Sequence, residues 1–328
     1  MKEAIDRRRF LAAGVGAGMV SGPLMEVMQI GTGGAPLPSA GRNQTGKVCV
    51  FSKHLQWLDW GNAAAAAREA GFDGVDLTVR PGGHVDPEAV EKELPLAVRR
   101  IREEGMDVPM MTSAVNDPGD PLTRRVLETA AGQGIAFYRM GYYSYPSQGN
   151  IPGFLDQVRD KVEGLVRLNE SLGIRGSYQN HAGNGYLGSS LWDIWWVLRD
   201  LPAEWIGCQF DLRHAATEST LSWKTGLRLL AGRINTLAVK DSKWVLGSDR
   251  EAEAAYCPLG EGFADFTFLL EVLAQVRFSG PASLHFEYPL GGAEHGAPEI
   301  TVSPDAVKSA MKRDLEIFRR KLAEGLPG

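Results

Sequence analysis

The chain has 328 residues, 44% hydrophobic and 23% charged, enough for one large or two medium globular domains. A net charge of -5 supplies no overall field for nucleic acid or an anionic membrane, and no basic run occurs beyond the extreme N-terminus. Three cysteines with no CxxC pair make neither a disulfide framework nor a thiolate zinc site. Cys49 and Cys208 lie in apolar runs and read as small buried hydrophobes.

The N-terminal stretch Asp6-Arg7-Arg8-Arg9-Phe10-Leu11 resembles a twin-arginine export signal. The weakly apolar segment that follows, Leu11 to about Val20, is too short and too Gly-rich to span a membrane as a helix. Residues 1–40 are therefore read as signal and linker, and residues 41–328 as the folded domain. Such a signal implies an exported, periplasmic protein that folds, and takes up any cofactor, before export.

From Lys47 a short apolar run, a polar loop and an amphipathic helix recur. The first strand is 48–51, ending at Ser52-Lys53-His54, with a helix over 60–70 stopped by Gly71. The second strand, 74–79, puts Val75, Leu77 and Val79 on one face and Asp76, Thr78 and Arg80 on the other. His84 follows in a Gly-rich loop before a helix at 87–104. Strand three is 108–112, with Pro109 near its start, followed by a helix at 121–133. Strand four, 136–141, carries Arg139 and leads through a tyrosine-rich loop to a long helix at 151–172.

Strand five is 176–181, with Gln179 and His181 on one face, and a helix follows at 190–200. Strand six begins at Ile206 and ends in the carboxylate of Asp211; His214 lies three residues on, where a loop is expected. A helix at 223–231 leads to strand seven, 234–241, which carries Lys240. A long loop containing Trp244 precedes the helix at 266–275. Strand eight, 282–288, places His285 and Glu287 on one face, and the last helix is 304–322.

Eight strand–helix units in this length match an α/β fold of the (β/α)8 TIM-barrel type. An open doubly wound sheet has the same local pattern but normally carries a glycine-rich turn after its first strand. Here that turn is Ser52-Lys53-His54-Leu55, with no glycine before Gly61. In a barrel the strand-end side chains meet at one mouth: Lys53, His54, Asp76, Arg80, His84, Arg139, Gln179, His181, Asp211, His214, Lys240 and Glu287. Oxygen and imidazole donors from separate strands suit a divalent ion such as Mn²⁺, Mg²⁺, Co²⁺ or Zn²⁺. Any one strand-end carboxylate alone is better read as a salt bridge or a loop cap; the convergence of several points to a site. His285, one layer below Glu287, is expected to be a hydrogen-bonded core residue.

Five pieces resemble the xylose isomerase-like TIM barrels: Tyr178-Gln179-Asn180-His181, Phe210-Asp211-Leu212-Arg213-His214-Ala215, Val239-Lys240-Asp241, Pro258-Leu259-Gly260-Glu261-Gly262 and His285-Phe286-Glu287-Tyr288. The resemblance covers about residues 47–325. It implies a divalent metal held by a Glu ending strand five, an Asp ending strand six, a His on strand seven and a Glu ending strand eight. Those positions fall on Gln179, Asp211, Ala238 and Glu287. Gln179 keeps a neutral carbonyl oxygen, Ala238 has no donor, and His181 is the candidate replacement for the missing imidazole. Lys240 is the alternative, a fixed positive charge in place of the metal's.

The resemblance further implies proton movement on carbon next to a sugar carbonyl or hydroxyl, with a small free sugar, keto-sugar or glycoside as partner. His181 or Glu287 is then the base and Lys240 the group that stabilises an enolate oxygen. His54, Arg80, His84, Arg139, His214 and Trp244 are the candidates for holding the substrate. Elimination from a 3-keto-glycoside uses the same site and is not separated from isomerisation by sequence. A non-catalytic sugar-binding barrel is the reading favoured by the lost Glu and His. An abasic-site-type endonuclease would need more metal ligands and a basic face. Family barrels often associate through their faces, so a homo-oligomer stays open.

Overall fold

The computed structural model describes residues 46–325, except 249. The expected export signal lies outside the described residues. Eight strands close into a parallel barrel: β1 (Val48–Phe51), β2 (Gly74–Val79), β3 (Met110–Ser113), β4 (Phe137–Arg139), β5 (Arg175–Gln179), β6 (Ile206–Asp211), β7 (Ile234–Val239) and, eighth around the ring, β10 (Ala282–Leu284). Closure is made by β1 pairing β10 on one side and β2 on the other. The two remaining strands, β8 (Asp241–Leu246) and β9 (Ala252–Cys257), form an antiparallel hairpin beyond the end of β7.

The helices are α1 (Trp60–Ala70), α2 (Val90–Glu103), α3 (Pro121–Gly132), α4 (Ile151–Leu172), α5 (Leu191–Leu198), α6 (Leu212–Ser219), α7 (Trp223–Leu230), α8 (Phe266–Gln275) and α9 (Pro304–Gly325). Their boundaries follow local chemistry. Asp59, Asp120 and Asp265 cap the N-termini of α1, α3 and α8 with side-chain oxygens. Gly71 and Gly173 end α1 and α4 at φ of 98° and 69°, a left-handed conformation that costs glycine nothing.

Strand alternation sorts the side chains. Val48, Val50, Val75, Leu77 and Val79 join the main core with the helices. Cys49, Met110 and Phe137 point the other way and form a small apolar cluster inside the barrel. Above it the interior turns polar: Asp76 accepts hydrogen bonds from Thr112 Oγ1 (3.0 Å) and Ser283 Oγ (2.7 Å). Burial pushes the Asp76 carboxyl up to about 6, against those hydrogen bonds.

The structure departs from the sequence reading in three respects. Strands three, four, five, seven and eight are shorter than expected, so Pro109, Gly141, His181, Lys240 and Glu287 lie outside them. Pro109 has no N–H to give a ladder and precedes the strand. His214 is not in a loop: Asp211 caps α6, accepting from the His214 N–H at 3.0 Å, and His214 sits in that helix's first turn. The long loop after strand seven contains the β8–β9 hairpin, whose strands carry no clean alternation of apolar and polar residues.

Candidate functional site

The site is organised around Asp211, the last residue of β6. Its backbone N–H donates to Asn180 Oδ1 (2.7 Å) and its carbonyl accepts from Asn180 Nδ2 (2.8 Å), so β5 and β6 are clamped at the mouth. Its Oδ1 caps α6. Its Oδ2 accepts from Gln179 Nε2 (2.8 Å) and lies 3.2 Å from the Lys240 ammonium. The same ammonium lies 3.5 Å from Glu287 Oε2 and 2.9 Å from His214 Nε2. Lys53 makes a second ion pair to Glu287 at 3.4 Å.

Lys240 is held from behind by its neighbour. Asp241 Oδ1 accepts from the N–H groups of Ser242 and Ala264, and Oδ2 from those of Gly260 and Gly262. The Pro258–Gly262 stretch thus wraps one carboxylate, and a Cβ on Gly262 would overlap it. Burial works against charge on Lys240, but Asp211 and then Glu287 outweigh it and keep the ammonium protonated. Burial alone would raise Glu287, yet Lys240, the His285 contact and Lys53 hold it well below the usual carboxylate range.

A cavity of about 230 Å³ opens above these groups, walled by Phe51, Lys53, Arg80, Arg139, Tyr142, Gln179, His181, Lys240, His285 and Glu287. It is smaller than the roughly 300–1,000 Å³ of drug-sized ligand sites and suits one small ring or open chain. His181 bonds through Nδ1 to the Ala182 carbonyl at 2.7 Å. A carbonyl only accepts, so Nδ1 carries the proton and Nε2 keeps its lone pair. Burial, reinforced by Lys240, lowers the His181 pKa below its ordinary value, so the ring is neutral at pH 7.

The expected substrate-holding residues separate into two groups. Arg80 and Arg139 line the cavity; His54, His84, His214 and Trp244 do not. His54 is fully buried and both ring nitrogens are used: Nδ1 bonds Ala293 O (3.1 Å) and Nε2 accepts from Phe286 N–H (3.0 Å). It positions the segment that carries Glu287 and has nothing left for a ligand. His84 is tied into the loop after β2 through Thr78 and Trp60. His214 is buried between Lys240 and Arg213 (Nη1 to Nδ1, 3.1 Å), with its ring tilted against that of His181 at 4.1 Å; burial and then Lys240 depress its pKa well below normal. Trp244 is half exposed on the hairpin and stacks on Phe263.

Other participants escaped the sequence reading. Tyr142 donates to Gln179 Oε1 (2.6 Å) from the tyrosine-rich loop. Tyr256 of β9 brings its ring 5.6 Å from the Lys240 nitrogen, a contact hidden while the hairpin read as loop. His285 lines the cavity rather than the core, stacked on Phe51 at 4.3 Å; neither ring nitrogen has a hydrogen-bond partner, and burial pushes its pKa down to about 4.

The four expected metal donors, Gln179, His181, Asp211 and Glu287, do not compose a cation site. The Gln179 amide is oriented by chemistry: Arg139 can only donate, at 3.1 Å, and the Asp211 carboxylate can only accept. The carbonyl therefore faces Arg139 and Tyr142, while the NH₂ faces the centre. The space between the Asp211 and Glu287 carboxylates holds an ammonium. Ala238, paired with Asp211 across β6 and β7, contributes no donor. Among the described residues no three His, Cys, Asp or Glu side chains gather as a metal-binding group.

A family model, the xylose isomerase-like TIM barrel, matches residues 64–310. The chain belongs to that family. Solved structures similar to this family member share its fold. One is a D-psicose 3-epimerase with D-tagatose from Clostridium cellulolyticum H10, at 12% identity and a TM-score of 0.62 over 84% of this chain and 99% of that one. Another is the 3-keto-D-glucoside 4-epimerase YcjR of E. coli, at 16% and 0.60 over 84% and 99%. A third is a xylose isomerase-like TIM barrel protein of Mycobacterium smegmatis in complex with magnesium, at 14% and 0.60 over 85% and 98%. No curated protein sequence matches the chain.

Proposed function

We propose that this family member is a sugar isomerase- or epimerase-type enzyme that moves a proton on carbon next to a carbonyl of a small free sugar, keto-sugar or glycoside. The observation that carries the reading is the pairing, in one cavity, of a fixed cation with a neutral imidazole: Lys240 and His181. Of the three Lys240 donors, two face Asp211 and His214 at hydrogen-bond distance, and the third faces only Glu287 at 3.5 Å. That third N–H turns to a substrate carbonyl oxygen and stabilises the charge that develops there. His181 Nε2 takes the proton. Glu287 is the weaker candidate base, because two lysines hold it as a carboxylate of very low basicity. The D-psicose and 3-keto-glucoside epimerases of the same fold support this class of chemistry.

Gln179 favours a second reading, elimination from a 3-keto-glycoside. An epimerase returns the proton to the opposite face and needs a second acid–base group, and Gln179 supplies none. An elimination needs one base and a departing group. The test is proton exchange in heavy water, followed by NMR, across free sugars, keto-sugars and 3-keto-glycosides. Exchange or product formation that disappears in Lys240→Met and His181→Gln supports the reading. Saturable binding with no exchange in any compound turns it into a sugar-binding protein. Export by the twin-arginine route is proposed on Asp6–Leu11 alone; fractionation of cells expressing the chain with Arg7-Arg8-Arg9 intact or changed to Lys tests it.

A further inference from the structure

Charges around the cavity do not balance. Lys53 and Lys240 are matched by Glu287 and Asp211 through the ion pairs described above. Arg80, just beyond β2, and Arg139, ending β4, also line the cavity, and neither has a carboxylate within ion-pair distance among the described residues. Arg139 is only 6% exposed; its Nη1 donates to a neutral amide, Gln179, and its Nε has no hydrogen-bond partner. Both guanidinium carbons lie over the Phe51 ring, 5.7 and 6.0 Å from its centroid. Asp76, four residues before Arg80 on the same face of the strand, already accepts from Thr112 and Ser283.

A nearly buried guanidinium without an ion-pair partner costs free energy, which the Gln179 bond, the Phe51 and Tyr142 rings and the attraction to Asp76 offset only in part, since Nε has no partner. Planar forks of this kind match a carboxylate with two parallel hydrogen bonds. We infer that Arg80 and Arg139 form an anion subsite on the β2–β4 side of the mouth, and that the substrate is an acidic sugar bearing a carboxylate. The inference rests on the reading of this cavity as a sugar site and narrows it. The carboxylate would lie across the cavity from Lys240 and supply the negative charge that the walls lack.

The test is calorimetric binding to the full chain at low salt, using glucose with glucuronate, galactose with galacturonate, and mannose with mannuronate. At least one acid is expected to bind tenfold or more tightly than its neutral partner. Arg80→Met should abolish that preference, and Arg80→Lys should keep part of it. No acid exceeding its neutral partner, or a preference that survives Arg80→Met, overturns the inference. Inorganic sulfate or phosphate displacing the acid at comparable concentration overturns the carboxylate assignment in favour of a tetrahedral anion. Binding is read without turnover, so the two proposals fail separately. An acid that binds through Arg80 without proton exchange sinks only the catalytic reading; exchange on neutral sugars with no acid preference sinks only this one.

Discussion

Replacing Lys240 by Met tests the central claim that one ammonium holds two buried carboxylates together. At 3.2 and 3.5 Å, each attraction is about 5 kcal/mol with an effective dielectric near 20. Desolvation of the ammonium offsets several kcal/mol of that, but losing one member of a buried ion pair still costs about 3–5 kcal/mol because its partners stay buried. Here Asp211 keeps the Gln179 amide and Glu287 keeps Lys53, so the lower end, about 3 kcal/mol, is expected. The pH sign follows from Glu287. In the native protein its pKa is depressed, so it contributes stability above the ordinary carboxylate range that is lost as pH falls. Without Lys240, Glu287 loses the charge that lowers its pKa most, so that pKa rises and protonation relieves part of the deficit on acidification. Urea unfolding at pH 7.5 and pH 5 should show the deficit narrowing at the lower pH. Adding Glu287→Gln to the variant should recover part of it in a double-mutant cycle. A deficit under about 1 kcal/mol at pH 7.5, or one of equal size at both pH values, would refute the reasoning.

Three further outcomes follow. Asp76 has a raised folded pKa, so its contribution to stability is greatest in acid and falls as pH rises through about 6. Asp76→Asn should therefore flatten the stability profile between pH 4 and 7 and be neutral or stabilising, by up to about 3 kcal/mol, at pH 7; a loss of stability at pH 7 contradicts this. Elemental mass spectrometry of the wild-type chain should find no stoichiometric divalent ion. The triple variant Gln179→Glu/Ala238→His/Lys240→Met should instead gain about 2.7 kcal/mol when Mn²⁺ is supplied at a hundredfold its Kd. One equivalent of metal in the wild type would overturn the donor argument. With His181 as base, turnover should be flat above its ordinary pKa and fall below it, since burial places its titration lower still; a loss of rate between pH 7 and 8 on acidification points to another base.

The barrel was legible because its signals are local. Eight apolar runs, each followed by an amphipathic stretch and several by a stop glycine, need only period-2 and period-3.6 patterns and a left-handed cap to be recognised. Cys49 and Phe51 against Val48 and Val50, or Asp76 and Thr78 against Val75 and Leu77, follow from the pleat alone. Strand-end placement likewise brought Arg80, Arg139, Gln179, His181, Asp211, Lys240 and Glu287 to one mouth. The β8–β9 hairpin and α6 were not legible. The hairpin's strands lack alternation, and α6 is eight residues started by a carboxylate that looks, in sequence, like a strand-end ligand.

Roles within the mouth depend on partners far apart in the chain, and no local pattern encodes them. His54 appeared available until Ala293 and Phe286, more than two hundred residues away, took both its nitrogens. Gln179 offered a carbonyl in principle. Arg139 and Asp211, forty residues before it and thirty-two after it, turned the amide so that its NH₂ faces the centre. Residue type sets which hydrogen bonds a group can make; the donors and acceptors packed around it in three dimensions set which ones it does make.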